Sequence, residues 1–221
     1  MRFREFGGYA TSALIAGAIL WSFATANVEL SRLMSAGPRI ADFLGRMFPP
    51  DPTVMAEIKK GSAETLRIAI LGTLGAVILS IPLGILASET MVARAVFRPV
   101  RTLLAFIRAI PLILVAMLMV GAVGLGPLPG IIAVAFHATG MLAKFYAEAI
   151  DGVSRAPIAA LESAGAGPLV RLRHAIWPQM APVVARDTIF RFELNLRESL
   201  ILGMSAGGIG FYIQTYVRSF Q

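Results

Sequence analysis

The chain contains no cysteine, which excludes disulfides and thiolate metal sites and leaves the redox compartment undetermined. Charge is scarce as well: 15% of the residues are Asp, Glu, Lys or Arg, against roughly a quarter in an average soluble domain. Only two histidines occur, His137 and His174, and they are too far apart in sequence to suggest a metal-ligand motif. No G-x-x-x-x-G-K-[ST] phosphate loop is present, so the chain does not hydrolyse ATP by that route. Acidic residues are the minority, 13 against 20 basic, for a net charge of +7. That excess does not make a nucleic-acid face, because the basic side chains flank apolar runs instead of clustering on a soluble domain.

What the chain has in abundance is apolar length. Hydrophobic residues make up 57% of it, and the mean hydropathy is +0.74. Three windows carry no charged side chain: Phe6–Val28, Ile68–Ser88 and Ala109–Ala143. A membrane-spanning helix needs about 20 mostly apolar residues, so the first two windows each fit one crossing. The third holds Gly124-Leu-Gly-Pro-Leu-Pro-Gly130 near its middle, a cluster that punctuates helices. It reads as two short helices joined by a turn, with Arg108 and Lys144 snorkelling at their outer ends. Phe6–Val28 lacks a convincing signal-peptide cleavage site and is read as a retained helix. Residues 29–62 form a proline-broken connector with short amphipathic pieces, and the core opens at 63. The chain thus divides into 1–62, an N-terminal helix plus periplasmic connector, and 63–221, the membrane core.

Basic residues fall in alternate loops. Arg2 and Arg4 precede the first span, Arg94, Arg98 and Arg101 follow the second, and Arg155, Arg171 and Arg173 follow the fourth. The positive-inside rule places these loops and the N-terminus in the cytoplasm, although the connector on the opposite side also carries Arg32, Arg39, Arg46, Lys59 and Lys60.

A fifth apolar segment, Val183 to about Met204, is long enough to cross but contains Arg191, Glu193, Asn195 and Arg197. Glu193 lies roughly 16 Å beyond Pro182 at 1.5 Å per residue, near the middle of a hydrocarbon core about 30 Å thick. A charge at that depth costs at least about 2.5–3.5 kcal/mol. Glu193 and Arg197 have the i,i+4 spacing of an ion pair, acid first. The group reads either as structural pairs between helices or as the polar lining of an anion path.

The segment Ile158–Pro182 is a small-residue, Arg-containing loop between apolar runs. Ala159-Ala160-Leu161 is followed after three residues by Gly165, and after nine more by Ala175-Ile176-Trp177-Pro178. This resembles the cytoplasmic coupling loop of ABC-importer permeases, E-A-A, three residues, Gly, nine residues, I-x-L-P, with Ala159 in place of Glu and Trp177 in place of Leu. Pro157 suits the first turn of a short helix, and Gly165-Ala-Gly-Pro168 ends it. Further segments in order, among them Glu64–Thr73, Arg108–Pro111, Gly140–Glu148, Arg191–Arg197 and Ala206–Gly210, make most of the chain similar to the permease subunit of phosphonate-type ABC importers.

The resemblance implies an all-α integral membrane protein of the type I fold, with about five transmembrane helices here. Family members continue through one more crossing, which is not expected within a sequence that ends at Gln221. It further implies a multi-pass subunit of the bacterial inner membrane that pairs with a second copy of itself. Lipid would surround the pair, two ABC ATPase subunits would bind the ATP, and a periplasmic substrate-binding protein would deliver the cargo. No cofactor, metal or catalytic residue is expected in this chain. The ATPase-coupling residues would be Ala159, Ala160, Leu161, Gly165 and Pro178, and the cargo a phosphonate or related phosphorus oxyanion. The alternatives are an ATP-independent channel or secondary carrier, and an inactive short permease. Gly203-Met-Ser-Ala-Gly207 matches G-x-S-x-G, but a hydrolase needs its acid and His after the serine, and both histidines precede it.

Overall fold

The computed structural model describes residues 2–26 and 35–219, and among these it is helical, with no strand. Two compact units are present, Met1–Pro52 and Thr53–Gln221. In the first, α1 (Arg2–Thr25) carries the expected first apolar window. It leaves Leu14, Leu20, Trp21 and Phe23 exposed by about two thirds or more, which suits lipid and not water. A second helix, α2 (Ala36–Arg46), is amphipathic and buries no residue. It is one of the short pieces expected in the connector.

The second unit begins with α3 (Met55–Ala87). The core helix therefore starts ahead of residue 63, its first turns running through what the sequence presents as connector. It continues through α4 (Arg94–Ala109), α5 (Leu112–Val123) and α6 (Pro127–Asp151). Then come α7 (Arg155–Ser163), α8 (Pro168–Arg171), a π-helical turn at Leu172–Ile176, α9 (Trp177–Ala206) and α10 (Ile209–Ser219).

At the centre α3 and α6 run side by side in the same direction, from Gly72 against Val134 to Ser88 against Asp151. Glycine makes this approach possible. A Cβ on Gly72 would lie 2.5 Å from Val134 Cγ1, and one on Gly84 would lie 2.8 Å from Tyr146 Cβ. Small residues at the seam are the membrane solution to helix packing, because backbones gain dispersion contact by approaching closely. The core accordingly rests on Ala69, Ala76, Ala116, Ala133, Ala138 and Ala143, all fully buried.

Among the described residues two helices, α3 and α6, are long and apolar enough to cross a membrane. The pair α4 and α5, bent by 83°, adds a third crossing if taken as one span. Here the structure corrects the expected layout. The basic stretch after Glu89, expected as a loop, is the helix α4, and the turn at Gly124–Gly126 joins α5 to α6 as expected. The bend falls at Ile110-Pro111, where the residue before proline is driven out of the helical region and Ile110 is extended. Helix α9 is long enough to cross, but its charges keep it outside a purely apolar count. Past the positive-φ pair Gly207 and Gly208 the chain forms a further helix, α10. It packs on α9 with Gly210 against Gly203, and Tyr216 hydrogen-bonds Glu57 at the start of α3.

Candidate functional site: the coupling loop and the charged helix

The bundle has two distinct ends. At one, Thr65 Oγ1 accepts a hydrogen bond from the Ile209 N–H at 3.0 Å, and a Cβ on Gly207 would lie 3.6 Å from Gly126. At the other, Asp151 gathers the loop between α3 and α4. Its carboxylate accepts from Ser88 Oγ at 2.6 Å, Thr90 N at 3.0 Å, Glu89 N at 3.3 Å and Arg101 Nη2 at 2.8 Å. Arg101 also donates to the Ala87 carbonyl at 2.8 Å and to Glu89 Oε1 at 2.7 Å. One acid and one guanidinium thus tie the ends of α3, α4 and α6 together.

The candidate coupling loop leaves from this end. Helix α7 buries none of its residues: Ala159 and Ala160 are exposed, and Leu161 is half-buried. Its end is set by Gly165, whose φ is +75°. Ala166 N donates to the Leu161 carbonyl and Gly165 N to the Glu162 carbonyl, each at 2.9 Å. That is a Schellman closure with glycine at its left-handed position. A side chain there would meet nothing within 4 Å, so the constraint is conformational and not steric. Arg171 pairs with Glu162 and braces α8 against α7.

Pro178 stands at the second residue of α9 and is exposed. It has no N–H to offer the preceding turn, and the helix there widens so that Trp177 N reaches the Leu172 carbonyl. Gln179 joins loop to span. Its Oε1 accepts from Ser154 N at 2.9 Å and its Nε2 donates to the Ala175 carbonyl at 2.7 Å. Motion of α7 therefore has a polar strut to α9. Leu169, Val170 and Trp177 are exposed beside it, an apolar surface at the tip of an otherwise polar loop.

The charged helix divides by face. Arg191 and Asn195 point into the bundle, 2% and 0% exposed. Arg191 donates to Glu198 Oε2 at 2.9 Å, and its Nη2 lies 3.2 Å from His137 Nδ1 on α6. Asn195 Nδ2 donates to Thr73 Oγ1 on α3 at 2.8 Å. Glu193 and Arg197 pair with each other as expected from their spacing, on the exposed side. The four residues read together as one path thus do not share a face: Arg191 and Asn195 bind α9 to its neighbours, and only Glu193 and Arg197 face outward. His137 is half-buried and within hydrogen-bond distance of Arg191. Sequence reasoning missed Glu198, seven residues along the same helix, as the partner of Arg191. It also missed Asp151, whose partners come from residues far away in sequence. Gly203 of the G-x-S-x-G match serves packing, since a Cβ there would lie 2.8 Å from Gly210 N. Among the described residues no His, Cys, Asp or Glu cluster could hold a metal.

Residues 80–221, which include the coupling loop, the Asp151 node and the charged helix, match the model of the binding-protein-dependent transport system inner membrane component family. The chain belongs to that family. It is 37% identical over 196 residues to the phosphite transport system permease protein PtxC of Stutzerimonas stutzeri, covering 88% of this chain and 71% of that one. It is 39% identical over 188 residues to the phosphate-import permease protein PhnE of Mycolicibacterium smegmatis, covering 84% of this chain but only 35% of the longer relative. An inward-facing structure of the MetNI methionine ABC transporter superposes with a TM-score of 0.70 at 20% identity, over 76% of this chain and 85% of that one. At that identity the likeness speaks for the fold, the type I importer fold expected. A member of this family sits in the membrane and implies an ATP-hydrolysing partner and a substrate-binding protein. Transport, not catalysis, is its work.

Proposed function

We propose that this permease carries phosphonate or a related phosphorus oxyanion inward, driven by ATP hydrolysis on two partner subunits. It works as a pair of identical copies fed by a periplasmic binding protein. The cargo follows from relatives named for phosphite and phosphate. The observation that carries the mechanism is the unburied helix α7, closed by a left-handed glycine and strutted to α9 through Gln179. Small side chains at Ala159 and Ala160 let that helix seat deeply in a partner's cleft. Closure of the partner then moves α9 and the Asp151-bound helix ends as rigid bodies.

In this reading the end bearing α7 faces the cytoplasm, as does the N-terminus, and the Gly126–Gly207 end faces outward. The outward side of α9, with Arg197 beside Glu193, lines the path between the two copies. Arg keeps its charge and offers a planar fork to phosphorus oxygens, while the adjacent Glu193 keeps cargo from binding too tightly for release. Arg191 is neutralised by Glu198 and stays structural. Co-purification with the neighbouring gene products tests the assembly. Recovery of an ATPase whose hydrolysis rises with phosphonate- or phosphite-loaded binding protein supports the reading, and a chain that transports alone overturns it.

A further inference from the structure

A cleft of about 140 Å³ lies between α4 and α6, lined by Arg101, Arg108 and Lys144 above a floor that includes Leu104 and Ala147. Close packing at Gly140 sets its shape. A Cβ there would lie 3.1 Å from the Leu104 carbonyl and 3.3 Å from Arg108 N, so the α4 backbone rides directly on α6 and brings Arg108 beside Lys144. Three of the side chains that line the cleft are basic and one, Glu148, is acidic. Lys144 pairs with Glu148 at 3.4 Å, and Arg101 is occupied by Glu89 and Asp151. Among the described residues Arg108 has no ion pair or side-chain hydrogen bond.

Lys144 stands about 10 Å from Asp151 along α6 at 1.5 Å per residue, which in the orientation proposed above is toward the membrane interior. Arg108 is exposed, an unpaired guanidinium facing lipid is costly, and a helical side chain slants toward its own N-terminus, which is the headgroup side in that orientation. Leu103 and Phe106, 50% and 65% exposed on α4, offer an apolar wall for acyl chains beside the cleft.

We propose that this cleft binds the phosphodiester of an anionic phospholipid, with Arg108 and Lys144 as its ligands. The phosphodiester supplies the anionic partner that Arg108 does not have among the described residues. Basic pockets between membrane helices recognise anionic headgroups by this chemistry, and the guanidinium fork suits two phosphate oxygens. The proposal does not depend on which cargo is carried.

The test is lipid retention by the purified transporter complex in nanodiscs made with phosphatidylglycerol or with phosphatidylcholine, read by native mass spectrometry. Wild type is expected to keep phosphatidylglycerol selectively. Arg108→Gln and Lys144→Gln should each weaken retention about fivefold, with Arg108→Lys intermediate. Equal retention of phosphatidylcholine, or unchanged retention in the double Gln variant, overturns the proposal. Displacement of the lipid by millimolar inorganic phosphate or phosphite also overturns it, because the cleft would then serve the free oxyanion. Thermal unfolding of the wild-type complex gives a reading that no variant can compromise: its midpoint should rise when phosphatidylglycerol replaces phosphatidylcholine, and equal midpoints contradict the site.

Discussion

Asp151→Ala should loosen one whole end of the bundle. The carboxylate accepts four hydrogen bonds, two of them from backbone N–H groups of the α3–α4 loop. Ser88 is fully buried, so its hydroxyl loses its acceptor with no water at hand. Each buried group left unpaired costs about 1–3 kcal/mol. Arg101 keeps the Ala87 carbonyl and Glu89, and the Asp151 side chain is 23% exposed, so water compensates part of the loss. The expected destabilisation is about 2–4 kcal/mol. Asp151→Asn should cost less, because its carbonyl oxygen still accepts from Thr90 N and Ser88, although its amide faces the Arg101 guanidinium. Reversible unfolding in mixed micelles, followed by the fluorescence of Trp177 in a Trp21→Phe background, measures both. An alanine variant within about 0.5 kcal/mol of wild type, the usual range for surface substitutions, would refute the account of this node. So would an asparagine variant as unstable as the alanine one.

Three further outcomes follow from the same geometry. Gly165→Ala meets open space but must hold φ near +75°, so it should destabilise the loop by about 1–2 kcal/mol and reduce transport, while Gly165→Asn, better tolerated in that conformation, should retain more; thermal shift and uptake of the two variants give the order. Glu198→Ala should cost about 3–5 kcal/mol by leaving Arg191 buried without its partner, and Glu198→Leu combined with Arg191→Met should recover most of that stability in the same unfolding assay. With no native cysteine, Ala95→Cys on α4 should label only from the cytoplasmic side of intact cells, and labelling from outside would reverse the orientation.

Much of this arrangement could be read from the chain before folding. The turn at Gly124–Gly126 and the helix stop at Gly165 were legible because glycine and proline act locally, through backbone angles that few other residues adopt. Helix α4 is signalled by Arg94, Arg98, Arg101 and Arg108 recurring at helical spacing, but charge density after an apolar window suits a loop equally well. The division of α9 was also available. At about 100° per residue, Arg191 and Asn195 share a side from which Glu193 and Arg197 point away. Asp151 carried no local signal, since three of its four donors belong to the α3–α4 loop and the fourth to α4. Which acid closes which helix end is decided by tertiary packing.

The central claim is that α7 couples this permease to ATP hydrolysis for import of a phosphorus oxyanion. The most direct measurement is uptake of radiolabelled phosphite or phosphonate into ATP-loaded proteoliposomes, using the complex purified with its ATPase and binding protein. Wild type should accumulate the oxyanion with ATP consumed, and Gly165→Trp should abolish both uptake and binding-protein-stimulated hydrolysis while leaving membrane insertion intact. Uptake that continues without ATP, or binding-protein stimulation unchanged in Gly165→Trp, would contradict the account.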